Sequence, residues 1–311
     1  MTLAKMAIAL AACAAMQMAN AQSAQNVLLI STNETTGGTP LYLNAIRAAY
    51  EAAGATVEDR RGVLSDATAI SPSLFAGKDV VVVVSIYESI HSAHFSVLEN
   101  AMKNRPNDDL AFVIYSDGCC EAATNNVNRL KDLLNSVTGW GLGMSARQYR
   151  GGGVELPLNA TSPYASYFSH GALNPIKGHD YRVLTGAPAA NVVYANTTEA
   201  IPNRADGAYT LFVSRSASNS GQGACVLFTG DASLFTPNAV HAPQRNPLGS
   251  AALALSASEQ CKRAGAHAVP ALDGWGLGLL SAAVAGIAVR LRRRTQLPRS
   301  EERRVGKECR S

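Results

Sequence analysis

Two adjacent thiols, Cys119 and Cys120, lie in the turn Ser116-Asp117-Gly118-Cys119-Cys120, between the apolar run Leu110–Tyr115 and the amphipathic stretch Ala122–Val137. A thiol on a sharp strand-to-helix turn is presented to solvent at a helix N-terminus, where the dipole favours thiolate. Cys120 is therefore the candidate nucleophile. The competing use is structural. Cys119, Cys120, Cys225 and Cys261 are the four cysteines between the chain's ends, and four cysteines allow three pairings. Two bridges from the adjacent pair to Cys225 and Cys261, in either order, are expected in an oxidising compartment. A candidate ligand pocket combines Glu88, Asp117 and Asp231 with Thr35 and Thr39 of the loop Thr32-Asn-Glu-Thr-Thr-Gly-Gly-Thr39. Such a loop, between a first strand and a first helix, could cradle a phosphate. It lacks the Walker lysine and the dinucleotide glycine spacing, so a capped polar loop is expected, with no cofactor. His91 and His94 have metal-ligand spacing but no third ligand, so they are read as solvent-facing, with no metal.

These residues need a scaffold that brings distant turns to one edge. Asn26–Ser31 is an apolar strand, Pro40–Ala53 a helix closed by Gly54, and Thr56–Asp59 a short strand. Asp79–Ile86 carries five consecutive valines, a run that fits a strand buried on both faces. Ser92–Lys103 is helical and Leu110–Tyr115 is a strand. In Ala122–Val137, Val127, Leu130, Leu133, Leu134 and Val137 align on one face. From Gly139 to Ala200 the pattern loosens around Gly151-Gly152-Gly153. Asn191–Ala195, Tyr209–Ser214 and Gly223–Thr229 read as strands and Leu248–Cys261 as a last helix. Strands alternating with helices predict an α/β fold, a mostly parallel three-layer sandwich of flavodoxin-like or amidotransferase-like type. The carboxyl edge of such a sheet is where ligand sites form.

The strand order up to Gly118-Cys119-Cys120-Glu121-Ala122 resembles class I glutamine amidotransferase-like domains, whose elbow is Gly-x-Cys-x-Gly. Cys120 matches the cysteine and Ala122 replaces the second glycine. Gly223–Asp231 is similar to the last strand of the non-catalytic relatives, and Asn174-Pro-Ile-Lys-Gly178 to the His-Pro-x-x-x-Gly stretch of ThuA-like members. The resemblance implies catalysis through a His-x-Glu pair after the last strand. Gly230-Asp231-Ala232-Ser233 stands there instead, and His241 follows ten residues after Asp231. A thiol without a base loses general-base activation. The expected domain is therefore a binding domain, with a hydrolase or amidase using Cys120 as the alternative. The phosphate-like loop faintly resembles that of flavodoxins, which makes a flavin binder the third option.

The two ends carry an address. Lys5, the apolar Met6–Met18 and Ala19-Asn20-Ala21 form a signal peptide, 1–21, for a signal peptidase. Leu10-Ala11-Ala12-Cys13 resembles a lipoprotein box, which would leave only Met6–Ala12 as the apolar region. Residues 22–261 form the α/β domain and 262–268 a linker. In 269–294, Val269, Pro270, Ala271, Leu272, Trp275 and Gly276 precede an apolar run to Val289 and a basic end with Arg292, Arg293 and Arg294. Leu272–Val289 spans 18 residues, just enough for a transmembrane helix, with the arginines on the cytoplasmic side. Motif, span and basic end resemble the Ile-Pro-Thr-Leu (IPTL-CTERM) variant of PEP-CTERM sorting tails. The resemblance implies processing by an exosortase-like transpeptidase at the inner membrane, and periplasmic or surface delivery. Extracellular polysaccharide is a candidate partner there. Residues 295–311 are a tail that resembles translated sequencing adapter from Arg299 onward. Between Gln22 and Ala268 there are 17 Lys+Arg and 19 Asp+Glu, a balance of −2 against +4 for the whole chain. No basic surface for nucleic acid is implied.

Overall fold

The computed structural model describes residues 25–33, 39–104, 110–165, 176–195, 207–219, 221, 223–232, 235, 251–252, 254–256 and 258–259. The chain divides into units 1–265 and 266–311, and every described residue belongs to the first. The expected signal peptide, Thr35, Cys261 and the whole sorting tail, with its expected transmembrane helix, lie outside the described residues. Among the described residues no helix is long and apolar enough to cross a membrane.

Five strands pair in parallel, four of them apolar runs and the edge strand β2 polar: β1 (Asn26–Ser31), β2 (Thr56–Arg60), β3 (Val80–Val84), β4 (Ala111–Tyr115) and, late in the chain, β11 (Cys225–Thr229), in the order β2-β1-β3-β4-β11. Every residue of β3, β4 and β11 is buried, as continuous Val/Ile/Phe runs require when both faces are covered. One face, through Val27, Leu29, Val82, Val113 and Leu227, packs on α1 (Thr39–Ala52) and on the helical residues between 251 and 259. The other, through Leu28, Ile30, Val83, Ile114 and Phe228, packs on α2 (Ala93–Asn104) and α3 (Glu121–Thr138). Three layers result. The α3 stripe is buried as its 3.6-residue spacing predicts.

The sheet is more mixed than expected. Beyond β11 it continues antiparallel through β10 (Ala208–Val213), β8 (Leu184–Thr185) and β5 (Gly143–Met144), with β9 (Val192–Ala195) also on β10. A separate antiparallel ribbon joins β6 (Gln148–Leu156) to β7 (Ile176–Tyr181), with a register shift between Tyr149 and Val154, where the three glycines fall. The loosened region thus contains five strands among its described residues. The ribbon is glycine-rich at Gly151–Gly153, while its Leu156, Ile176 and Tyr181 are buried in the core.

Candidate functional site

The parallel strands all deliver their carboxyl ends to one edge. Asp117 follows β4 by two residues, and Asp231 follows β11 by two. The ribbon brings a third carboxylate, Asp180 at the end of β7, onto the same two turns. Gly118 N–H donates to the Asp180 carbonyl at 3.1 Å, and Gly230 N–H to the Tyr209 carbonyl at 3.1 Å. Both turns need glycine because the ribbon comes so close. A Cβ on Gly118 would stand 2.8 Å from the Tyr181 nitrogen, and one on Gly230 would stand 2.1 Å from the Arg182 carbonyl oxygen.

Asp117 is 4% exposed and Asp231 is fully buried. Asp117 Oδ1 accepts the Cys119 amide at 2.8 Å, and Asp231 Oδ2 accepts the His179 amide at 2.6 Å. Burial, then the neighbouring charges of Asp231 and Asp180, push the Asp117 carboxyl well above the ordinary carboxylate range. Asp180 is held differently. Arg147 grips it with Nε on Oδ1 at 2.7 Å and Nη2 on Oδ2, a bidentate ion pair. Tyr209, beside Asp231 and edge-on to Tyr181 at 5.1 Å, is pushed well up, first by burial and then by that carboxylate. Half-buried Tyr87 is raised by burial, then by Asp117.

The thiols sit on the rim of this cluster. Cys119 and Cys120 are both free, so the bridges expected from them to Cys225 and Cys261 are not formed. Cys225 is disulfide-bonded to neither of them. The two Sγ atoms are 3.0 Å apart. Cys120 is exposed and caps α3 in extended conformation. Burial and the Asp117 charge push the Cys119 thiol up, away from thiolate. Cys119 Sγ also meets the Ile86 carbonyl, at 3.9 Å. The Asp117 carboxylate also hydrogen-bonds the Cys119 thiol; among the described residues, no histidine hydrogen-bonds either thiol.

The expected pocket is split. Asp117 and Asp231 come together, but the Glu88 carboxylate instead accepts the Ser65 hydroxyl at 3.4 Å. Asn126 fixes the Glu88 backbone, with Nδ2 on its carbonyl at 2.6 Å and on the Ser85 hydroxyl, and Oδ1 on the Ile90 amide at 2.9 Å. Thr39 opens α1, and its side chain is outside the described residues. His94 is not solvent-facing as expected. It is fully buried, with Nδ1 on the Ile70 amide at 3.3 Å and Nε2 on the Asp66 carbonyl at 2.8 Å. Asp180 and Arg147 carried no signal that marked them in the sequence. The segment containing Gly178 did, but as a motif and not as a strand. A groove of about 350 Å³ lined by Ser89, Ile90, Asn125, Asn126, Asn128 and Arg129 shares no residue with the acidic cluster.

Among curated proteins, none matches this chain. In fold it resembles a ThuA-like protein from Bacteroides uniformis ATCC 8492, with TM-score 0.48 and 9% identity over 78% of this chain and 94% of that one. It also resembles a ThuA-like protein from Parabacteroides merdae ATCC 43184, with TM-score 0.44 and 13% identity over 80% and 94%. Residues 267–294 match the IPTL-CTERM motif, the sorting signal expected from the Val269–Arg294 segment.

Proposed function

We propose that this chain is an exported bacterial envelope protein whose α/β domain binds a ligand without catalysis, and whose C-terminal motif directs exosortase-type sorting. The match over residues 267–294 carries the sorting half. Signal peptidase acts at Ala21, an exosortase-like transpeptidase acts near Pro270, and the domain is delivered to the periplasm, outer membrane or surface. The non-catalytic half is supported by the state of the thiols: burial and the Asp117 charge push the Cys119 thiol away from thiolate, and among the described residues no histidine hydrogen-bonds either thiol.

The test replaces Pro270 and Trp275 together by alanine and follows the chain by immunoblot in membrane and released fractions. Retention with an uncut tail is expected. Normal processing would reduce the motif to a plain anchor. A second reading, a hydrolase or amidase using Cys120, is favoured by one observation: Cys120 is an exposed, free thiol on a helix cap. Turnover of activated esters or amides that disappears in Cys120→Ala would establish it in place of the first.

A further inference from the structure

We infer that Cys119 and Cys120 form a dithiol exchange site, at which Cys120 attacks an external disulfide and Cys119 resolves the adduct. Three observations carry this. Both thiols are free in a domain whose Cys225 is already disulfide-bonded. Their Sγ atoms stand 3.0 Å apart, so bond formation needs a closing movement of only about 1 Å to reach the usual S–S length of about 2.05 Å. Their accessibility is also divided: Cys120 is exposed at the α3 cap, whereas Cys119 is partly buried behind it. The attacking thiol must be reachable, and the resolving thiol needs only to reach the first.

The chemistry balances in two steps. Cys120–SH and RS–SR give Cys120–S–SR and RSH. Cys119–SH then attacks the Cys120 sulfur, the Cys120–S–SR bond breaks, and the Cys119 proton leaves with the second RSH. The protein loses two hydrogens as the external disulfide gains them. The product is a bridge between neighbouring residues. Their Cα atoms are about 3.8 Å apart across a trans peptide, below the usual disulfide range of about 4.4–6.8 Å. Such a bridge is strained, and strained bridges are the readily reduced ones. The couple is therefore a reversible one rather than a structural staple. Burial and the Asp117 charge, which push the Cys119 thiol away from thiolate, make resolution the slow step, so the mixed disulfide is transiently populated.

The full chain, reduced and freed of reductant, is treated with oxidised glutathione, and the peptide holding both cysteines is followed by mass spectrometry. The wild type is expected to pass through a glutathione adduct to a peptide lighter by two hydrogens, and dithiothreitol should restore it. Cys119→Ser should accumulate the adduct on Cys120, and Cys120→Ser should lose most adduct formation. Three results would overturn the inference: a wild-type adduct that never resolves, equal reaction of the Cys120→Ser variant through Cys119, or bridging of either thiol to Cys225 or Cys261. Circular dichroism of each variant establishes that it is folded before it is scored. None of these readouts depends on sorting, so the inference and the proposed function fail separately.

Discussion

Replacing Gly230 by alanine tests whether the ribbon truly seals the carboxyl edge. The new Cβ would meet the Arg182 carbonyl oxygen at 2.1 Å, and its next neighbours are also backbone atoms, Arg182 C at 3.2 Å and N at 3.6 Å. A carbonyl cannot rotate away as a side chain can, so Arg182 must move with the end of β7. Overpacking of this kind costs about 1–3 kcal/mol and occasionally more, and 2.1 Å places Gly230 at the upper end. Alanine also restricts the unfolded chain, which offsets about 0.4–1 kcal/mol. The net expectation for Gly230→Ala is a loss of about 2–3 kcal/mol. For Gly118→Ala, where the closest atoms stand at 2.8–2.9 Å, it is about 1–2 kcal/mol. Gly54→Ala is the control: φ is +92°, nothing lies within 4 Å, and only backbone strain of about 1 kcal/mol applies. The assay is urea unfolding followed by circular dichroism, paired with alkylation of Cys119. Displacement of β7 should loosen the Gly118–Asp180 contact and speed Cys119 alkylation in the two edge variants but not in the control. If Gly230→Ala lies within about 0.5 kcal/mol of wild type, the ribbon does not rest on this turn and the geometry of the site is wrong.

Other perturbations report on single groups. Asp117 has a folded-state carboxyl raised by burial and by Asp231, so the fold holds its proton more tightly than the unfolded chain does. The contribution of this group to stability should be highest below the unfolded carboxyl value of about 3.9 and fall as pH rises through the folded value, with a slope of at most about 1.4 kcal/mol per pH unit. Asp117→Asn should flatten that limb and unfold at higher urea near neutral pH, whereas parallel profiles for the two proteins would refute the assignment. Asn126→Ala strips partners from the Ile90 amide, the Glu88 carbonyl and the Ser85 hydroxyl. It should cost about 2–3 kcal/mol and expose the Ile90 amide to faster hydrogen exchange; an unchanged exchange rate would contradict the role given to Asn126. Arg147→Met leaves Asp180, whose side chain is 11% exposed, without its fork. With Arg147 itself 42% exposed, a loss of about 1–2 kcal/mol in thermal or urea unfolding is expected, and a neutral result would show that water replaces the pair.

The parallel half of the sheet was legible because double burial writes itself into sequence. Val80–Val84, Ala111–Tyr115 and Cys225–Thr229 admit no polar residue until the last strand position, so their limits are visible to within a residue or two. The turns after β4 and β11 were legible too, because each closes an apolar run with an aspartate. The ribbon was not. Gln148–Leu156 contains Gly151, Gly152 and Gly153, and Ile176–Tyr181 carries Lys177, His179 and Asp180, a composition that reads as loop. What makes it strand is pairing between segments far apart in the chain, which no local pattern records. Asp180 was missed for the same reason: its importance lies in where β7 ends. The cysteines show the converse, since four of them in an exported chain suggested staples, and the 3.0 Å approach of two neighbours is a property of the turn alone.

The ribbon also changes what the acidic residues can do. Asp117 and Asp231 stand where α/β sheets hold ligands, but they are 4% and 0% exposed, and β7 lies over their turns. A ligand arriving at this edge would not meet two carboxylates. It would meet the exposed thiol of Cys120, the half-buried phenol of Tyr87 and the guanidinium of Arg147, whose charge is already engaged by Asp180. The carboxyl pair acts from behind. Burial, then the Asp117 charge, pushes Tyr87 and Cys119 up toward their protonated, hydrogen-bond-donating forms, and Asp117 also fixes the Cys119 amide. Asp117→Asn should therefore alter the chemistry of the rim, seen as faster ionisation and alkylation of Cys119, without removing any group a ligand touches. Unaltered Cys119 reactivity in that variant would mean that burial alone sets the thiol and that the carboxylates serve only the fold.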